Sequence, residues 1–174
     1  MSVVLQRQKE AAATYPTVPN TPTGVDADAV WQRIEQWVSY RWPQREVEWI
    51  VTGSGEFIPP LAECEFTKLE RSDGAGWLSA GDPLYTPLGV VLSGGGYYRV
   101  TANVGSNDDP PAAVIEAFKR LAEYLVASTE HAGLSRHSMS LGDLSESRSL
   151  SPAASARAIH YSGAADLLRP WRCA

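Results

Sequence analysis

At Tyr97-Tyr-Arg-Val-Thr-Ala-Asn-Val104 the chain alternates between apolar and polar side chains. The residues that would share one face of an extended strand are Tyr98, Val100, Ala102 and Val104. A period of two is typical of a β-strand with one buried face. Gly94-Gly-Gly96 comes directly before this stretch, with no helix after it and no lysine at the spacing of a phosphate-binding loop. The glycines therefore predict a turn between two strands.

More runs of strand-forming residues lie within residues 45–104. Gly, Pro and Asp residues separate these runs, which are Val47–Val51, Glu63–Leu69, Trp77–Leu78 and Val90–Leu92. Short strands with turn residues between them predict an antiparallel meander or a small sandwich.

Four other segments carry helical signals. Residues 26–40 begin at Asp26, a favourable capping residue, and repeat apolar side chains at helical spacing. Residues 111–130 have the strongest apolar stripe and start with a proline, which a first turn tolerates. A shorter helix is expected at about 152–162, and a last helical turn at Ala164–Leu168. The chain is thus predicted to be α+β.

Two segments lack such periodicity. Pro16, Pro19 and Pro22 make residues 1–24 a predicted flexible N-terminal arm. Residues 131–150 are rich in Ser and Gly and predict a mobile loop, or one that becomes ordered only against a neighbouring subunit. Its candidate subunit-contact residues are Arg136, Leu141, Leu144 and Arg148.

Composition restricts the class of protein. With 174 residues, 44% hydrophobic and 20% charged, the chain suits one globular domain. A formal net charge of -5 argues against non-specific binding to nucleic acid. Cys64 and Cys173 form no metal pattern and are expected to be thiols in a reducing compartment. No apolar run approaches the ~20 residues of a membrane span, and no signal peptide is recognisable, so a cytoplasmic product is expected.

The sequence offers no catalytic or metal-binding constellation, and no cofactor is predicted. His131, His137 and His160 are scattered without ligand spacing, and no Gly-x-Ser-x-Gly turn is present. Cys64 lies between Glu63 and Glu65, whose charges would raise the pKa of its thiol and so weaken it as a nucleophile.

The end of the chain combines apolar, basic and aromatic residues. Pro170 is expected to stop the helical turn and to leave an extended arm that carries Trp171 between Arg169 and Arg172. A large apolar anchor beside guanidinium groups suits a docking peptide. The same residues also suit a terminus whose Trp folds back on its own domain, and the sequence alone leaves both interpretations open.

Three stretches together resemble the head–tail connector, or adaptor, proteins of long-tailed phages and of phage-like gene transfer agents. The first is Arg41–Gly53 with Pro59-Pro-Leu61, the second is Pro87–Gly105 with Pro110–Leu125, and the third runs from Ala156-Arg-Ala158 through Ser162–Arg172. The similarity spans most of residues 30–172, and it depends on the order of the stretches because no single motif is diagnostic.

The resemblance implies a fold and a set of partners. The fold would be a helical bundle core, with the helices named above, a β-rich insertion at 45–104 and extended terminal arms, in an adaptor domain at 25–168. Subunits would form a homo-oligomeric ring, expected to be a dodecamer, between the portal protein of the capsid and the stopper or tail proteins, in the neck of a particle made in the bacterial cytoplasm. DNA would pass through the channel without sequence-specific binding, and no membrane would be involved.

The resemblance also implies a docking site. Residues 169–174 would form the C-terminal docking arm, and the portal-binding residues would be Leu167, Leu168, Arg169, Pro170, Trp171 and Arg172. Two alternatives remain open. One is another neck or tail-completion protein, such as a stopper or a tail terminator, a class that is often β-rich. The other is a small enzyme or ligand-binding domain with a cleft between the β segment and the 111–130 helix.

Overall fold

The computed structural model describes residues 2–130, 137–141, 144–148 and 157–172, with side chains for 2–128 and 157–172. These residues separate into two compact units. One contains the chain up to Pro16 together with Ser39–Asp108, and the other contains Thr17–Val38 together with Asp109–Arg172. We call them the sheet unit and the helical unit.

The sheet unit consists of two antiparallel sheets. Its strands in chain order are β1 (Val4–Glu10), β2 (Arg45–Thr52), β3 (Gly55–Phe57), β4 (Cys64–Ser72), β5 (Trp77–Ser79), β6 (Leu84–Tyr85), β7 (Val90–Leu92) and β8 (Tyr97–Val104). The larger sheet has the order β1-β2-β8-β4-β5, and the smaller has the order β3-β7-β6. The alternating stretch quoted first is therefore the central strand of the larger sheet.

The core of the sheet unit lies between the two sheets. In the pairing of β2 with β8, Trp49 lies opposite Val100, and Val51 lies opposite Tyr98. The inward side chains of these strands pack with Phe57 and with buried residues of β7. The rings of Trp49 and Phe57 meet at 5.8 Å between centroids. Alternation along the sequence thus translates directly into one buried face per sheet.

A helical bundle core with a β-rich insertion was the wrong prediction. The structure is mostly β-sheet, with ten strands in three antiparallel sheets against four helices in the part of the chain that it describes. The strands of residues 45–104 enclose a core of their own, because inward residues from both sheets face each other. The predicted β-strands are confirmed, whereas their role as an insertion in a bundle is not.

The N-terminal arm also differs from its prediction. Residues 4–10 were predicted to belong to a flexible arm, but they form strand β1. This strand pairs antiparallel with β2 at the edge of the larger sheet. The side chain of Glu10 accepts hydrogen bonds from Arg41 and from Arg45, which attaches the end of β1 to the rest of the sheet unit. The proline-rich residues that follow carry no helix or strand up to α1.

The helical unit contains α1 (Ala27–Trp37), α2 (Ala112–Glu130), α3 (Ala158–Tyr161) and α4 (Ala164–Leu167), followed by a 3-10 turn at Arg169–Trp171. The side chain of Asp26 caps α1 by accepting from the backbone N–H groups of Asp28 and Ala29, as the sequence predicted. Trp31 of α1 meets Phe118 of α2 at 5.1 Å between ring centroids. Their apolar stripes thus pack against each other.

The predicted mobile loop at 131–150 contains a pair of strands. β9 (His137–Leu141) and β10 (Leu144–Arg148) pair antiparallel, with Leu141 opposite Leu144. The sequence signal that was missed is Gly142-Asp143 between two runs in which every second residue is serine. Arg136 lies outside the described residues, as do residues 151–156, the start of the helix predicted at 152–162.

Candidate docking surface

The C-terminal segment is positioned by a glycine and a buried leucine. Gly163 lies between α3 and α4 with a φ of 74°, a conformation that costs residues with a Cβ about 1–2 kcal/mol. The N–H of Leu168 donates to the carbonyl of Ala164 at 3.1 Å, and the side chain of Leu168 is fully buried. The predicted helical turn at 164–168 is therefore confirmed as α4, and Leu168 fixes its end in the helical unit.

Beyond Leu168 the chain continues in a tight turn. The N–H of Trp171 donates to the carbonyl of Leu168 at 3.1 Å, and the N–H of Arg172 donates to the carbonyl of Arg169 at 3.3 Å. Pro170 lies within this 3-10 turn, because its fixed φ suits a first turn, where no intrahelical hydrogen bond needs its missing N–H. The prediction that residues 169–172 form an extended arm was therefore wrong.

The six predicted portal-binding residues differ in exposure. Arg169, Pro170 and Arg172 are exposed, Leu167 and Trp171 are half-buried, and Leu168 is inaccessible. The surface that this segment presents therefore consists mainly of two guanidinium groups on either side of a proline ring. Leu168 acts as an internal anchor and not as a contact residue.

Arg172 also contacts its own unit. Its Cζ lies 4.3 Å from the centre of the Trp37 ring, a cation–π contact with the last residue of α1. The ring of His160 meets the edge of the same indole at 4.5 Å and 83°. A partly exposed contact of this kind contributes about 0.5–1 kcal/mol. The segment is thus seated on the helical unit while its basic groups remain accessible.

The sequence analysis did not connect Trp37 with the C-terminus. In the structure Trp37 is half-buried, whereas Trp31, Trp42 and Trp49 are buried as core residues. No local pattern relates Trp37 to Arg172, because the two residues are distant in sequence and meet only through the packing of α1, α3 and α4. The predicted contact residues Leu141, Leu144 and Arg148 lie on the paired strands β9 and β10 and not on this segment.

The strongest electrostatic feature of the sheet unit is a cluster of Glu10, Arg41 and Arg45. Both Arg41 Nε and Arg45 Nε lie 2.9 Å from Glu10 Oε2, and Arg41 Nη2 lies 2.9 Å from Oε1. Burial opposes ionisation of Glu10, but hydrogen bonds and positive charge from the two arginines outweigh it and lower the pKa of Glu10 to about 2. The cluster has a structural role, since it attaches β1 to the larger sheet.

A second charged cluster lies on the outer face of the larger sheet. Arg99 Nε lies 2.6 Å from Glu70 Oε2, and Lys68 Nζ lies 2.7 Å from Glu70 Oε1. The hydrogen bond from Arg99 lowers the pKa of Glu70, with further help from Lys68 against the effect of burial. The guanidinium of Arg99 also lies over the ring of Trp77 at 4.9 Å. These contacts join neighbouring strands, and the lowered pKa of Glu70 is the opposite of what a general acid needs.

A cavity with a volume of about 700 Å³ lies in the sheet unit, between the larger and the smaller sheet. Leu69, Val91 and Tyr98 contribute its apolar lining, and Asp73 and Asp82 lie at its rim. Within the described residues no group of three or more His, Cys, Asp or Glu side chains is placed to hold a metal ion. None of the helices in the described part of the chain is long and apolar enough to cross a membrane.

Comparison with known proteins gives no relative: no family model, no curated protein and no solved structure matches this chain.

Proposed function

We propose that this chain is a head–tail connector, a structural protein of the neck of a phage or a phage-like particle. It forms a ring under the portal protein, docks there by its C-terminal segment and joins the head to the stopper or tail proteins. The order of the three resembling stretches supports this proposal. The stretches contain β2, the strands β7 and β8 together with most of α2, and the C-terminal elements from α3 onward.

The observation that carries the proposal is the presentation of residues 169–172. A buried leucine fixes the segment in place, and the residues immediately after it expose two arginines and a proline. Guanidinium groups form bidentate hydrogen bonds with carboxylates, so the matching surface on the portal is expected to be acidic. A short segment that is already ordered before binding loses little conformational entropy when it docks.

The overall charge supports the proposed passage of DNA. The chain has 20 acidic and 15 basic residues. A ring of subunits with excess negative charge does not attract phosphates by counterion release, as DNA-binding surfaces do. DNA would then move through the channel without being held by the wall.

The experiment is a binding measurement between the full chain and its cognate portal ring. Deletion of residues 169–174 is expected to abolish docking, and the pair Arg169→Glu with Arg172→Glu is expected to weaken it strongly. Arg157→Glu is the matched control, because Arg157 is an exposed arginine of the same unit outside the segment, and its binding should equal that of the wild type. Unchanged docking of a folded deletion variant would refute the proposed portal site.

A second candidate function is that of another neck or tail-completion protein, such as a stopper or a tail terminator. The observation that favours it is the predominance of antiparallel sheet over helix. The two candidates differ in their neighbour within the particle. Direct contact with the portal supports the connector, whereas contact with tail proteins alone supports the second candidate.

A further inference from the structure

The two edges of the larger sheet have different chemistry. β1 forms one edge and β5 forms the other. Each of the four pairings between them is antiparallel, so β1 and β5 run in the same direction. A copy of the chain placed beside another in the same orientation would therefore bring β1 next to β5 as a parallel pair.

The β1 edge is apolar on one face and basic on the other. Leu5 lies opposite Val51, whose side chain belongs to the core, so Leu5 is on the core face of the sheet, and it is 42% exposed. Arg7 and Lys9 are also exposed. No acidic residue occurs in residues 2–9, so this edge has a local positive charge.

The β5 edge is apolar and acidic. Leu78 lies opposite Arg71, which itself lies opposite the core residue Tyr98, so Leu78 is on the core face, and it is 58% exposed. Asp73 and Asp82 flank the strand, and both are exposed at the rim of the cavity. Backbone N–H groups of Gly76 and Ala75 donate to Asp73 and lower its pKa, which favours its charged form. Residues 73–84 contain no basic residue.

These charges decide which edges can join. Two β1 edges would place Arg7 and Lys9 of one copy beside the same bases of the other, and two β5 edges would place aspartates beside aspartates. Like charges oppose both of these symmetric contacts, whereas β1 beside β5 joins opposite charges and two exposed leucines. A contact between unlike surfaces repeats from copy to copy and closes into a ring when the rotation allows.

We propose that the β1 edge of one copy adds to the β5 edge of a second copy, so that Leu5 packs against Leu78 and the bases of β1 approach Asp73 and Asp82. In the proposed ring these two edges would be the surfaces that join neighbouring subunits. Only the closure of the copies into a ring rests on the proposed function; the pairing of the two edges does not. Because β5 has three residues, few backbone hydrogen bonds form across it. The contact between two free copies is therefore weak and decreases with added salt.

The test is disulfide trapping between two full-length variants, with Cys64 and Cys173 replaced by serine in both. A mixture of Leu5→Cys and Leu78→Cys is expected to give several-fold more cross-linked dimer than either variant alone. The matched control is Leu5→Cys mixed with Leu88→Cys, since Leu88 is 66% exposed but lies between β6 and β7 of the smaller sheet. Cross-linking in the test mixture that does not exceed this control overturns the proposal.

A charge reversal provides an independent readout. Lys9→Glu in the Leu5→Cys partner should lower the yield of cross-linked dimer, and Asp82→Lys in the Leu78→Cys partner should restore it. If neither substitution changes the yield of cross-linked dimer, the proposal is also contradicted. Portal docking of the same variants separates the two claims: failure of cross-linking with intact, segment-dependent docking rejects the edge contact and leaves the connector function in place.

Discussion

Replacement of Glu10 by Gln should destabilise the sheet unit in a pH-dependent way. The pKa of Glu10 is about 2 against an ordinary 4.5, and each pKa unit corresponds to about 1.4 kcal/mol, which gives roughly 3 kcal/mol. The Glu10 side chain keeps 23% of its surface exposed, and solvent screening reduces this value. We therefore expect Glu10→Gln to lower the free energy of unfolding by about 2 kcal/mol at neutral pH.

The direction of the pH dependence follows from linkage. The pKa of Glu10 is lower in the folded state, so its contribution to stability is complete above pH 4.5 and is lost as the pH falls toward about 2. The wild type then loses this contribution by protonation, whereas the Gln variant has no carboxyl group at this position to protonate. The difference in stability between the two proteins should accordingly shrink across this interval.

The assay is urea unfolding followed by tryptophan fluorescence at neutral pH and at about pH 3. Glu46→Gln is the matched control, because Glu46 is an exposed residue of the neighbouring strand β2, and its stability should stay close to that of the wild type. Equal stability of Glu10→Gln and wild type at neutral pH would refute the role of the cluster. A difference that persists unchanged at low pH would refute the electrostatic explanation.

Substitutions at three further positions test the helical unit by the same unfolding assay. Leu168→Ala should cost about 3 kcal/mol because it empties a fully buried site, and a cost below that of an exposed substitution would contradict its role as anchor. Asp26→Ala should cost about 1 kcal/mol through loss of the α1 cap, whereas Asp26→Ser should retain most of the stability. Gly163→Ala should cost about 1 kcal/mol because of its positive φ, and a neutral result would exclude that conformation.

The sequence predicted those strands and helices whose side chains have two different faces. The alternation of Tyr98, Val100, Ala102 and Val104 identified β8, and the apolar stripe of residues 111–130 identified α2 within one residue at its start. In both, the residue pattern and the burial agree. The local sequence determines elements of this kind, because their apolar face must be buried away from water whatever the fold of the remaining chain.

Elements without a buried face were missed. β1 is exposed along almost all of its length, so its sequence carries no alternation, and it exists through pairing with β2 and the ion pairs of Glu10. β3 and β6 are too short to show a period. The prediction of a helical bundle came from the resemblance. It was wrong because the inward residues of the two sheets form a hydrophobic core of their own.

The candidate site was predicted by composition but not by geometry. The residues Arg169, Pro170 and Arg172 stood out in the sequence, and they are exposed in the structure. The burial of Leu168 and the contact of Arg172 with Trp37 depend on the packing of distant segments. No reasoning on neighbouring residues gives such contacts.

The most direct test is an electron cryomicroscopy reconstruction of the full chain bound to its cognate portal ring. We expect a ring of copies in which residues 169–172 contact the portal through the two arginines. A complex in which this segment touches only Trp37 and other residues of its own subunit would contradict the account.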